Sequence, residues 1–98
     1  MELTTEKIFD KCVDEVIRQT DDLYEEYRQG KMPYVDYKIA DAKLHMKLYG
    51  DMAETIKDRT DKKAMEIKES MPKYLAHQRE RIEYYRKLGA GELVDDQE

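Results

Sequence analysis

The longest regular pattern of apolar positions lies between the two prolines of the chain, Pro33 and Pro72. From residue 35 to residue 71, apolar or weakly polar side chains recur at steps of three and four. They are Val35, Ile39, Ala42, Met46, Tyr49, Ala53, Ile56, Thr60, Ala64, Ile67 and Met71. Because such spacing keeps side chains on one face of an α-helix, it predicts a single helix over residues 33–71, roughly 55–60 Å long at ~1.5 Å per residue.

A similar pattern earlier in the chain predicts a first helix over residues 5–29. Thr4 is of the residue type that caps a helix N-terminus, and Gly30 suits the left-handed position that follows a C-terminus. Lys31 and Met32 alone separate Gly30 from Pro33, which is favoured in the first turn of a helix. Such a short connection requires the first two helices to pack as an antiparallel hairpin.

Beyond Ile56 the apolar stripe becomes thin, because residues 57–63 are all polar. The remainder of the stripe is Ile56, Ala64, Ile67 and Met71. The first helix is too short to cover these positions, so the pattern predicts that they pack against a second copy of the chain, as a homodimer. Pro72 is expected to end the long helix, since proline lacks the amide hydrogen that a helix interior needs. A third helix follows over residues 72–88.

The composition also indicates an all-α fold. Charged residues make up 42% of the 98 residues, and no run alternates apolar with polar residues for long enough to predict a strand. We therefore expect one helical domain over residues 1–91, built as a three-helix bundle or a coiled-coil-like oligomer, and a disordered acidic tail over residues 92–98. The single cysteine, Cys12, and the lack of a long apolar run predict a soluble, cytoplasmic protein without membrane contact.

Charge divides the chain into acidic and basic parts. Residues 1–56 carry a net charge of −5, residues 57–87 carry +4 and residues 92–98 carry −4. The basic part also contains tyrosines and a histidine, and cations beside aromatic rings favour binding of nucleic acid or nucleotides. The whole chain is nevertheless acidic, at −5, which favours a protein partner. The residues expected to contact that partner are Tyr74, Leu75, Arg79, Ile82, Tyr85 and Arg86.

Four of the eight tyrosines lie close to the predicted hairpin turn. Tyr24 and Tyr27 precede the turn, and Tyr34 and Tyr37 follow it. Tyrosine joins a large apolar ring to a polar tip and is enriched at protein interfaces. Two interpretations therefore stay open for this group, which are packing inside the hairpin and a surface that contacts a partner.

Signals for a metal site are weak. Asp41 and His45 are four residues apart on one predicted helix face, and His77 and Glu80 are three apart. The paired Glu-x-x-His motifs that hold iron in helical bundles are missing from the sequence. We therefore expect no metal and no cofactor.

Signals for catalysis are also weak. Asp21, Asp22 and Glu25 loosely match the Glu-Glu-x-x-Glu magnesium motif of short all-α nucleotide pyrophosphohydrolases, but two of the three acids are aspartate. The sequence instead favours a small non-catalytic module, an adaptor or inhibitor, that docks on a larger macromolecular complex and self-associates through its helices. A nucleic-acid- or nucleotide-binding protein that uses residues 57–87 is the alternative, and a magnesium-dependent pyrophosphohydrolase is a weaker one.

Overall fold

The computed structural model describes residues 3–91 and consists of three α-helices. They are α1 (Thr5–Arg28), α2 (Tyr34–Thr55) and α3 (Lys62–Gly89). α1 and α2 form the predicted antiparallel hairpin, and α3 packs along α2, which confirms the all-α fold class. The principal dimensions are 48 × 26 × 18 Å. The acidic tail predicted over residues 92–98 lies outside the described residues.

Both ends of α1 follow the local signals in the sequence. The Thr4 side chain accepts a hydrogen bond from the Lys7 amide at 3.2 Å and so caps the N-terminus. At the other end Gly30 has a φ of 79°, a left-handed conformation that is easily adopted only without a Cβ atom. The Lys31 amide donates to the Glu26 carbonyl at 3.0 Å, which satisfies a carbonyl at the helix end. The chain is thereby turned back into α2.

The second helix ends at Thr55 instead of continuing to residue 71 as predicted. Residues 57–63 carry no apolar side chain, so a longer helix would bury nothing along that stretch. Folding back places Ile56 in one buried cluster with Ala64 and Ile67. Asp61 then caps α3, because its carboxylate accepts a hydrogen bond from the Ala64 amide at 3.2 Å.

Pro72 lies inside α3 and does not end a helix, contrary to the prediction. Proline removes one helical hydrogen bond and crowds the preceding turn, at a cost of about 3 kcal/mol in a helix interior. Met71 just before it and Gln78 in the second turn after it are both buried, at 7% and 4% exposure. Because burial on both sides of the proline rewards a continuous helix, α3 is not interrupted.

The core lies where α2 and α3 meet. Its buried members are Met52, Ile56, Ala64, Ile67 and Met71, and Phe9 and Cys12 of α1 pack against them. The stripe that was predicted to hold a second copy is therefore buried within one chain, with exposures of 0% to 7%. The homodimer stays a prediction, but this stripe cannot serve as its contact surface.

The loop over residues 56–61 is tied to the start of α1. The Thr5 hydroxyl donates a hydrogen bond to the Asp61 carboxylate at 2.7 Å, and Thr5 is 2% exposed. The Arg59 guanidinium donates to the Leu3 carbonyl at 2.8 Å, and the Lys68 ammonium donates to the Arg59 carbonyl. These bonds hold α1 and α3 together at the end opposite the hairpin turn. Elsewhere the two helices contact each other little, and both pack on α2.

Candidate protein-binding surfaces

The structure brings together the four tyrosines near the hairpin turn. The rings of Tyr27 and Tyr37 stack with centroids 4.8 Å apart, and the Tyr34 ring meets the Tyr27 ring edge-on at 5.8 Å. Tyr24 lies 6.1 Å from Tyr37. Such pairs stabilise one another beyond the area they bury. The packing that the sequence left as one alternative is therefore present, and contact with a partner stays a prediction.

α3 adds two further tyrosines to this group. It has 28 residues against 22 in α2, so its C-terminal turns reach the hairpin turn. Tyr85 meets Tyr34 edge-on at 6.2 Å, and Tyr84 meets Tyr85 at 5.0 Å. We call these six residues the tyrosine surface. They are Tyr24, Tyr27, Tyr34, Tyr37, Tyr84 and Tyr85.

Much of the tyrosine surface faces solvent. The exposed fraction is 49% for Tyr24, 40% for Tyr34 and 38% for Tyr84. The Lys38 ammonium lies 5.7 Å from the ring centroids of both Tyr34 and Tyr37, within the range of a cation–π contact. Burial raises the pKa of Tyr37, and the charge of Asp41 adds to that shift. At one end of the molecule, partly buried tyrosines therefore support tyrosine rings that are about half exposed.

The residues that were predicted to contact a partner through α3 do not form one surface. Tyr74 faces α1 and α2, where it lines a depression of about 250 Å³ with Phe9 and Tyr49. Leu75 and Arg79 line a different depression, of about 390 Å³, on the side of α3 turned away from α1. Tyr85 belongs to the tyrosine surface, Ile82 is half-buried and Arg86 is exposed. Four of the six predicted residues are thus divided among three places, and Ile82 and Arg86 belong to none of them.

A polar network joins α2 to α3 beneath the tyrosine surface. The Arg81 guanidinium donates to the Asp41 carboxylate at 3.4 Å and to the Gln78 side-chain oxygen at 2.9 Å. The His45 ring nitrogen lies 2.8 Å from the Asp41 carbonyl oxygen. Burial raises the pKa of the neighbouring Tyr74 phenol to about 12, aided by nearby acidic groups including Asp41. Asp41, considered above with His45 as a metal candidate, therefore connects α2 to α3 through Arg81, whereas the hydrogen-bond contact of His45 lies within α2.

Three further candidate metal or catalytic groups have partners within the chain. Glu25 pairs with Arg28 at 2.9 Å, and the hydrogen bond from Arg28 lowers the pKa of Glu25. Asp22 lies 3.5 Å from Arg18. Burial raises the pKa of the Cys12 thiol, which donates to the Leu48 carbonyl at 3.4 Å. Among residues 3–91, no three His, Cys, Asp or Glu side chains come together in a way that would hold a metal ion.

The cations of the basic segment are spread over several faces and many have partners. Lys57 pairs with Glu54 at 2.7 Å, and Lys63 lies 4.4 Å above the Phe9 ring. Arg81 pairs with Asp41, and Arg86 lies 3.6 Å from the Glu83 carboxylate on the same helix. This arrangement offers a nucleic acid no continuous cationic track over the described part of the segment.

One surface was missed in the sequence. Ala53 of α2 faces Leu75 and Arg79 of α3 across the depression of about 390 Å³, whose other lining residues are Lys68, Met71 and Pro72. We call this depression the outer groove. A signal for it was present, because Gly50 and Ala53 place two small residues three apart on α2.

Comparisons with protein-family models, with curated proteins and with solved structures found no match to this chain. The structure and the sequence therefore carry the functional argument by themselves. None of the helices in residues 3–91 contains a stretch long and apolar enough to span a lipid bilayer.

Proposed function

We propose that this chain is a small non-catalytic protein-binding module, of adaptor or inhibitor type, that docks on a larger assembly. The observation that carries this proposal is the tyrosine surface, where three exposed rings rest on three partly buried ones. Tyrosine contributes a large contact area and loses little conformational entropy when it is held, because its side chain has two rotatable bonds. The contacts between the rings of the tyrosine surface already restrain these side chains before a partner binds.

A protein partner fits this surface better than a nucleic acid does. The faces of Tyr27 and Tyr37 are stacked on each other, so neither ring has both faces open to a base. Acidic residues lie on the same turns, among them Glu25, Glu26 and Asp36, and would repel phosphates. Mixed charge around an aromatic centre is instead the usual composition of a protein interface.

The proposal is tested by comparing what three versions of the chain retain from an extract of the source cells. The tested variant combines Tyr24→Ala with Tyr34→Ala. A matched control combines Leu3→Ala with Met65→Ala, which removes exposed apolar side chains, 39% and 52% exposed, from the opposite end of the molecule. We expect a defined set of proteins to be retained by the wild type and the control and lost by the tyrosine variant.

Equal retention by all three versions would refute the role of the tyrosine surface. Loss of the retained material after nuclease treatment would support the nucleic-acid alternative instead. Circular dichroism of each variant provides the control for folding, since all four positions are exposed and their helices should persist.

A further inference from the structure

The outer groove is the second surface of this molecule that has the character of a binding site. It lies on the side of α3 away from α1. Its floor consists of apolar side chains, of which Met71 is buried and Ala53 and Leu75 are half-buried. The two charged groups in its lining, Lys68 and Arg79, are both cations. The groove is therefore apolar at its centre and positive at its edge.

Gly50 lies three residues before Ala53 on α2, about one helical turn from the groove lining. It lies inside α2, where glycine weakens a helix, and its φ is not positive. Apart from its two chain neighbours and its own helix backbone, a Cβ atom at Gly50 would meet no atom of residues 3–91 within 4 Å, so no described tertiary contact requires glycine there. Glycine in such a position lets the backbone of another molecule approach closely.

Pro72 belongs to the groove lining and lies on α3 at the level of Gly50 on α2. Contacts of Tyr49 with Tyr74 at 5.1 Å and of Asp41 with Arg81 at 3.4 Å set the antiparallel register of α2 and α3. That register places Gly50 level with Pro72. Two residues that each weaken their own helix thus lie level with each other, Pro72 in the groove lining and Gly50 one helical turn from Ala53. Function at this place explains both better than stability does.

We propose that the outer groove binds an amphipathic α-helix of a partner protein, with acidic residues beside its apolar face. A groove between two packed helices accepts the ridge of a third helix, and small residues such as Gly50 and Ala53 allow a closer approach. The exposed Arg79 makes no ion pair within residues 3–91, so its charge is available to a partner carboxylate. The apolar floor favours the apolar face of a protein helix over a phosphate backbone as the occupant.

This inference is independent of the tyrosine surface, which lies at the end of the molecule near the hairpin turn. A partner protein could use either surface alone, and a molecule with both could bridge two partners. The experiment therefore uses changes in the outer groove alone, and the Tyr24→Ala and Tyr34→Ala variant serves as its reference for binding elsewhere.

A displayed library of amphipathic helices tests the proposal without a known partner. The polar positions of each helix are randomised among Glu, Gln and Lys, and the apolar positions among Leu, Ile, Ala and Gly. After selection against the wild-type chain, we expect enrichment of Glu over Lys beside the apolar face and of Ala or Gly at its centre. The affinity of a selected peptide is then measured by fluorescence anisotropy.

Two variants and one matched control locate the site of binding. Gly50→Leu places a large side chain one helical turn from Ala53, where it should obstruct a docked helix and weaken binding about tenfold or more. The melting temperature should stay equal or rise, because leucine favours a helix. Arg79→Glu should weaken binding to a similar extent, about tenfold. Lys73→Glu makes the same charge change at an exposed position of α3 outside the groove lining, and should alter binding less than about threefold.

Several results would overturn the proposal. They are the absence of selected helices, enrichment of Lys over Glu, and binding that Gly50→Leu leaves intact. Binding lost in the tyrosine variant but kept in Gly50→Leu would assign the helix to the tyrosine surface instead. If the chain alone sediments as a dimer and Gly50→Leu converts it to a monomer, the occupant is a second copy and the proposal of a partner helix is wrong.

Discussion

The change of Ile56 to alanine distinguishes the observed core from the long-helix interpretation. Ile56 is 0% exposed and packs where α2 ends, in one cluster with Ala64 and Ile67. Alanine removes three carbon atoms, which costs about 2.4 kcal/mol at ~0.8 kcal/mol per buried carbon. The cavity left behind raises the loss, and measured Ile→Ala changes fall at about 2–5 kcal/mol. We predict a loss of about 3–4 kcal/mol for Ile56→Ala.

The assay is urea denaturation followed by far-ultraviolet circular dichroism, with Ile17→Ala as the matched control. Ile17 is 52% exposed on α1, so the same substitution should cost less than about 0.5 kcal/mol. For a domain of this size, a loss of 3–4 kcal/mol lowers the melting temperature by roughly 12–30 °C. The comparison separates burial from residue type, because both variants remove the same atoms.

Two results would refute this reasoning. A loss below about 1 kcal/mol for Ile56→Ala would show that the fold-back does not bury this residue. A loss that shrinks as the protein concentration rises about tenfold would show that Ile56 packs against a second copy, as the stripe alone indicated. The predicted effect is independent of concentration because Ile56 is already 0% exposed within a single chain.

Four further predictions follow from the described contacts and the sequence. Thr5→Val should reduce stability by about 1 kcal/mol, since the buried hydroxyl donates to Asp61. That hydrogen bond lowers the pKa of Asp61 below its usual 3.8. The stability that it contributes is therefore present above about pH 4 and is lost as the pH falls through the lowered pKa. In an acid titration followed by circular dichroism, Thr5→Val should lose less stability than the wild type does. In an ultraviolet titration Tyr74→Phe should remove a phenol that ionises near pH 12, and a titration identical to the wild type would contradict its burial. Magnesium should leave the melting temperature unchanged, both in the wild type and in the variant that combines Asp22→Ala with Glu25→Ala. A magnesium-dependent rise in the wild type, or nucleotide hydrolysis, would favour the pyrophosphohydrolase interpretation. Sedimentation should give twice the 11.7 kDa of one chain if the homodimer prediction holds, and a single-chain mass would refute it.

The sequence alone determined the elements whose signals are local. Thr4, Gly30 and the short connection to α2 predicted the bounds of α1 to within one residue and the antiparallel hairpin. The grouping of Tyr24 and Tyr27 with Tyr34 and Tyr37 followed from the same turn. These features depend on residues close together in the chain, where capping geometry and loop length leave few alternatives.

The position of the second turn was decided by tertiary packing. Residues 33–71 have the helical period throughout, so periodicity cannot distinguish one long helix from two helices that fold onto each other. Folding back buries Ile56, Ala64 and Ile67 together, whereas a straight helix would leave the last two exposed in a single chain. The same burial on both sides of Pro72 overrides its tendency to end a helix.

The composition of the candidate sites also depended on the tertiary structure. Tyr85 reaches the tyrosine surface because α3 is longer than α2, and Tyr74 and Leu75 point to different sides because neighbours on a helix are about 100° apart. The outer groove exists only because the chain turns back after Ile56 and brings Leu75 opposite Ala53. Periodicity assigns residues to a face of one helix, but the neighbour of that face is set by how the helices pack, which depends on contacts distant in sequence.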